Sequence, residues 1–121
     1  MYNATVLNLF SQPHNMKSLA EADAIGQDGI PGEGPYMTLY LRLEGENIAE
    51  ASFETYGCPA AIACGSWLTQ WITGKTADAA SIITADDLMR VVGGLPLGKE
   101  HCASLAVNAL RSAMRSWQDE M

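Results

Sequence analysis

Two of the three cysteines in this chain, and the histidine next to one of them, are the residues whose placement points to chemistry. Cys58 stands in the stretch YGCPAAIACG, residues 56–65, immediately before Pro59. Proline suits the first helical position, where the missing N–H is one that a helix leaves unbonded anyway. Cys58 is then expected near the N-cap, where unpaired amides and the positive end of the helix dipole favour the thiolate, the nucleophilic and metal-binding form. Cys102 has a similar setting at the start of a last expected helix, with Lys99 and His101 beside it. Two thiols at two helix starts, one with a neighbouring imidazole, make a ligand set. The other reading stays open. Free cysteine also packs as a small hydrophobe, a histidine at a helix start is often a solvated one, and the long separation of Cys58 from Cys102 matches no short metal signature such as C-x2-C.

The remaining candidates read as structural. Cys64 lies six residues along the same helix from Cys58, roughly 240° round it at 100° per residue, on an apolar stripe with Trp67, Leu68 and Trp71, and is read as core. Trp67, Trp71 and Trp117 are read as core and rim packing, and His14, beside Pro13 in a polar turn, as solvent-exposed. Acidic residues are dispersed, so no paired-carboxylate site is indicated. The glycine-rich GQDGIPGEG lacks the Lys-Ser/Thr ending and the strand-to-helix setting of a phosphate loop.

The elements that must position these residues follow from periodicity. Residues 4–10, ATVLNLF, are expected as a short helix ended by Pro13. Residues 26–35, GQDGIPGEGP, hold four glycines and two prolines and are expected as a loop. In YMTLYLRL, residues 36–43, Met37, Leu39, Leu41 and Leu43 alternate with polar or aromatic residues, as in a half-buried strand. In IAEASFETY, Ala49, Ala51 and Phe53 alternate with Glu50, Ser52 and Glu54, so the two segments form an expected antiparallel hairpin. A helix is expected from Pro59 to Ile72, ended by Gly74, with a stripe of Ala60, Cys64, Trp67, Leu68, Trp71 and Ile72. Thr76 and Thr84 are expected N-caps of two short helices, the second with Asp87 in capping-box position and stopped by Gly93-Gly94. The last helix carries Cys102, Leu105, Ala106, Ala109, Leu110, Ala113 and Trp117 on one stripe. Strands followed by helices predict an α+β domain with helices on one face of a small antiparallel sheet.

Bulk properties narrow the function. At 121 residues the chain is expected to be one domain, able to bury a core without disulfides. The odd cysteine count, and an N-terminus with no positive charge ahead of its short apolar stretch, support neither a disulfide framework nor a signal peptide, so a reducing cytoplasm is expected. No apolar run approaches the roughly 20 residues needed to span a bilayer, so no membrane is expected. The net charge is -7, from 14 acidic and 7 basic residues. The basic residues are scattered, so no nucleic-acid partner is expected either.

From end to end the chain resembles the IscU/NifU N-terminal family of iron–sulfur cluster assembly scaffolds. FETYGCPAAIACGSWLTQWITGKT looks like that family's strand, cysteine and helix, and LPLGKEHCASLAVNALRSAM like its final segment, where His and Cys are adjacent. YNATVLNLFSQPHN is similar to its opening helix and turn. The resemblance implies a three-stranded antiparallel sheet with helices packed on one face. It also implies a scaffold, not an enzyme in the turnover sense, on which sulfur from a cysteine desulfurase and iron become a [2Fe–2S] cluster for transfer to apo iron–sulfur proteins. Carried over residue by residue, it implies Cys58, His101 and Cys102 as ligands, with Cys102 receiving sulfur.

The family's first cysteine is absent. Where the family has a small residue, Cys, Gly and Asp, this chain has Gly32, Glu33, Gly34 and Pro35, so Glu33 takes the cysteine position and Pro35 the aspartate position. Glu33 still offers an oxygen, suited to a harder ion than a thiolate is. The set Glu33, Cys58, His101 and Cys102 is an unusual shell for a cluster and one that zinc also accepts. With glycine on either side, Glu33 is free to face the site or the solvent. The family's chaperone-recognition stretch Leu-Pro-Pro-Val-Lys is here Leu95-Pro96-Leu97-Gly98-Lys99, which leaves chaperone binding uncarried by the resemblance. Two further readings accompany the scaffold: a relative that keeps the fold as a zinc-binding or partner-docking protein without assembling clusters, and a thiol-redox protein in which Cys58 and Cys102 form a reversible disulfide.

Overall fold

The computed structural model describes residues 2–119. Helix α1 (Ala4–Ser11) is followed by strands β1 (Ala24–Asp28), β2 (Tyr36–Glu44) and β3 (Asn47–Tyr56), and then by helices α2 (Pro59–Ile72), α3 (Ala77–Ala80), α4 (Ala85–Val91) and α5 (His101–Asp119). The strands form one antiparallel sheet in the order β1-β2-β3, with Ala24 opposite Leu41 and Leu39 opposite Phe53. Helices α2 and α5 cover its apolar face, and α1 packs on α2. The core joins Met37, Leu39, Leu41 and Phe53 from the sheet to Leu68 and Ile72 from α2 and Leu110 from α5, all essentially inaccessible. This is the expected α+β arrangement with helices on one face of the sheet.

Two expectations need correcting. Residues 26–28 belong to β1 and are not loop. Gly26 reads as a turn residue in sequence, yet its role is close approach: a Cβ there would lie 2.1 Å from both the carbonyl oxygen of Ala109 and the amide nitrogen of Ala113. Only glycine lets α5 settle directly on β1. Second, the alternation of β3 is broken by a bulge between the pairs Arg42–Glu50 and Leu43–Ile48, so Ile48 takes the core position and Ala49 is only half-buried. An extra residue in one strand shifts the inward set by one place, which strict period-two counting misses.

The local stop and start signals act as expected. The hydroxyl of Thr84 accepts from the Asp87 amide and the Asp87 carboxylate accepts from the Thr84 amide, closing a capping box on α4. Thr76 caps α3 through the amide of Ala79. In α2 the buried face is broader than the expected stripe, taking in Ala61, Ala63, Gly65, Ser66 and Thr69. Gly65 lies so close to Phe53 that a Cβ would sit 2.5 Å from the ring. Trp67 and Trp71 lie at the rim, stacked with centroids 5.9 Å apart, and the Lys75 ammonium sits 4.7 Å from the Trp71 ring centre. Among the described residues no helix is long and apolar enough to cross a membrane.

Candidate functional site

Cys58 is the N-cap of α2, with Pro59 in the first turn. Its backbone is extended, and its carbonyl accepts from the amide of Ala61, 3.0 Å away. The strand β3 ends at Tyr56, so Gly57 and Cys58 turn the chain from sheet edge into helix. Cys102 is the second residue of α5, and its amide donates to the carbonyl of Lys99 at 3.0 Å. The packing of α2 and α5 side by side on the sheet places these two helix starts together. The sulfurs of Cys58 and Cys102 lie 3.5 Å apart, and Nε2 of His101 is 3.7 Å from the Cys102 sulfur.

The two thiols are not equivalent. Cys102 is 1% exposed, whereas Cys58 is half-buried and His101 is exposed. Burial opposes ionisation of Cys58, but the amide of Ala61, the hydroxyl of Tyr2, the thiol of Cys102 and the amide of Ala60 together outweigh it and bring Cys58 down to about 7. Those amides point at the sulfur without forming a regular cap hydrogen bond. Burial pushes Cys102 up to about 12, helped by its hydrogen bond to Cys58 and the charge there, with Lys99 opposing. A thiolate on Cys58 therefore accepts a hydrogen bond from a protonated Cys102. The expectation that both helix starts activate their cysteine holds for Cys58 alone, because Cys102 sits one residue further into its helix and under cover.

Tyr2 was not among the candidates read from the sequence. Burial, with the Cys58 sulfur near its hydroxyl, raises it to about 12. No local pattern marks it, because it reaches the site only through the fold. Asn3, next to it, caps α1 by accepting from the Val6 amide at 2.9 Å, and its side-chain amide donates to the carbonyls of Val92 at 3.1 Å and Gly94 at 2.9 Å. That clamp ties the first residues to the end of α4.

Cys64 is fully buried, and burial followed by the charges of Cys102 and Cys58 pushes it up to about 12. It is core, as expected, and His14 is exposed, as expected. Glu33 lies at the exposed tip of the turn between β1 and β2, between Gly32 at φ 90° and Gly34 at φ 117°. Residues flanking it, Pro31, Gly32 and Gly34, line an open depression of about 500 Å³ with Tyr36, Thr55 and Tyr56, the last of these two residues before Cys58. Among the described residues no group of three or more His, Cys, Asp or Glu side chains is arranged to hold a metal ion. The fold thus brings Cys58, Cys102 and His101 together and leaves Glu33 exposed at its turn.

The NifU-like N terminal domain family model matches residues 1–121. The chain is 40% identical over 114 residues to the iron–sulfur cluster assembly scaffold protein IscU 1 of Archaeoglobus fulgidus, a match covering 94% of this chain and 74% of that protein. It is 34% identical over 123 residues to the iron–sulfur cluster assembly scaffold protein IscU of Escherichia coli (strain K12), covering 98% and 95%. In fold it is similar to a nitrogen-fixing NifU-like protein (N-terminal) from Brucella abortus, with a TM-score of 0.76 at 19% identity over 98% of this chain and 95% of that one.

Proposed function

This chain belongs to the NifU-like N-terminal domain family, and from that premise we propose that it is an iron–sulfur cluster assembly scaffold. The observation that carries the reading is the meeting of two helix starts, which sets Cys58 and Cys102 3.5 Å apart with the His101 ring 3.7 Å from the second sulfur. Thiolates are the donors that iron–sulfur clusters prefer, and histidine replaces some of them in known cluster types. In this reading the thiol pair takes up sulfur from a cysteine desulfurase. Cys58, His101 and Cys102 bind iron, Glu33 supplies an oxygen from its turn, and a [2Fe–2S] cluster is the cargo passed to apo iron–sulfur proteins. The chain binds, holds and releases; it does not turn over a substrate as an enzyme does.

The test is anaerobic reconstitution with ferrous iron and sulfide, followed by visible absorbance and by counting iron and acid-labile sulfide in wild type, Cys58→Ser and Cys102→Ser. A cluster in the wild type that is lost in both variants supports the scaffold. Absence of any cluster, with zinc binding intact, would sink it.

A second reading is favoured by one specific feature, the exposed Glu33 and, two residues on, Pro35 in place of a cysteine and an aspartate. In it the fold persists as a partner-docking or zinc-binding protein. Binding to a desulfurase with no sulfur gained at either thiol separates it from the first.

A further inference from the structure

We infer that Cys58 is the thiol that captures sulfane sulfur and that Cys102 is its resolving partner, so that the pair itself reduces the captured sulfur to sulfide. The inference rests on the reading that sulfur is taken up at this site, and it moves the entry point from Cys102, which the resemblance implies, to the more accessible Cys58.

Access decides the entry point. Cys58 is half-buried at the N-cap and follows Gly57, whereas Cys102 is 1% exposed and lies behind it. A donor approaching from solvent meets the Cys58 sulfur first; the Cys58 thiolate attacks the donor's terminal sulfane sulfur, the S–S bond behind it breaks, and the shortened donor leaves as a thiolate or shorter polysulfide. The sulfur it leaves extends outward, away from Cys102, because Cys102 occupies the inner side at 3.5 Å. Buried nucleophile, Cys58 sulfur and outer sulfur then stand in the order that in-line displacement needs, and the atom touching Cys102 is the inner sulfur of the persulfide. Thiol–disulfide exchange depends on which sulfur is attacked, and here contact selects the inner one.

The step balances without another reductant. The Cys102 sulfur forms a bond to Sγ of Cys58, and the bond between that Sγ and the outer sulfur breaks. The electron pair leaves with the outer sulfur, which takes the Cys102 proton and departs as hydrosulfide. The two cysteine sulfurs are oxidised from thiol level to a disulfide, giving up two electrons. The outer sulfur accepts those two and falls from the sulfane to the sulfide level, the form a cluster incorporates. A dithiol reductant then reopens the pair and frees both sulfurs as ligands. Cys64 takes no part, being fully buried within the core.

The experiment uses the full chain, reduced and metal-free under argon, treated with inorganic polysulfide that is then removed. Intact mass and peptide mapping after alkylation locate every added sulfur atom, beside a donor-free control. In the wild type the expected product is a Cys58–Cys102 disulfide with the added sulfur lost. Cys102→Ser should retain the sulfur on Cys58, and Cys58→Ser should gain none on the covered Cys102 or Cys64. Circular dichroism and an unmodified Cys64 report that each variant has folded. Equal retention of sulfur on Cys58 in wild type and Cys102→Ser would overturn the resolving role. Sulfur gained at Cys102 in Cys58→Ser as fast as in wild type would overturn the entry role while leaving sulfur uptake at the site standing. Sulfur at neither thiol in Cys102→Ser or Cys58→Ser, with no donor-dependent Cys58–Cys102 disulfide in the wild type, would remove the uptake reading and this inference together.

Discussion

The side-chain amide of Asn3 donates to the carbonyl oxygen of Val92 at 3.1 Å, tying the start of the chain to the end of α4. The same side chain caps α1. A residue with no chemistry of its own thus ties down the segment that carries Tyr2.

Asn3→Ala should therefore act twice. Loss of the cap and of two long-range hydrogen bonds should cost about 1–3 kcal/mol, read as a lower urea midpoint. Alkylation of Cys58 near neutral pH should also slow, because Tyr2 is no longer held to donate to the thiolate. An unchanged alkylation rate in a destabilised variant would show that Tyr2 keeps its place by other contacts.

Gly26→Ala should be far more damaging than an exposed glycine-to-alanine change. The added methyl would meet backbone atoms of Ala109 and Ala113, which have no rotamer with which to withdraw. A loss of about 3 kcal/mol, or failure to fold, is the expected result by denaturant melt. Gly45→Ala tests the other case, since no atom lies within 4 Å of a Cβ there and only its positive φ resists the change.

The pH dependence of the metal-free protein follows from opposite shifts. Cys58 is lowered to about 7, so its alkylation rate should rise through that pH, while Cys102 and Cys64, both raised to about 12, stay slow until strongly alkaline solution. Tyr2→Phe should move the Cys58 midpoint upward, since it removes a donor to the thiolate. For stability, a lowered acid pKa contributes above the unfolded value and loses its contribution as pH falls through the folded one. The Cys58 contribution is thus complete above about 9 and gone below about 7. Cys102 and Cys64 run the other way, their contribution present below about 9 and lost as pH rises toward 12. A urea midpoint that rises from pH 6 toward 9 and falls beyond it is the expected profile; a flat one would mean that the thiols are equally shifted in the unfolded chain.

Glu33 can be tested as a donor from both sides. After reconstitution, Glu33→Cys should lengthen the life of the cluster under a chelator, because it supplies a third thiolate. Glu33→Ala should shorten it, by about tenfold if the carboxylate ligates directly. Equal decay in wild type and Glu33→Ala would leave the carboxylate in solvent, where the metal-free protein has it.

Much of this molecule was legible in the chain because it depends on neighbours in sequence. Pro59 after Cys58, the Thr84–Asp87 box, the alternation of residues 36–43 and the stripe of the last helix are local patterns with local causes. So was the burial of Cys64 in the core, which follows from its place on the apolar stripe of α2. The family resemblance supplied the third strand, which periodicity did not. What the tertiary structure decided was everything that depends on two distant segments meeting. The composition of residues 26–35 speaks for a turn, and only the approach of α5 shows Gly26 inside a strand. Ile48 takes the core position because a bulge resets the pairing with β2. Cys58 and Cys102 sit at similar helix starts, yet one is open and lowered while the other is covered and raised, because burial and the single charge they share are properties of packing. Tyr2 joins them for the same reason, on a segment that Asn3 ties to Val92 and Gly94, some ninety residues away in sequence.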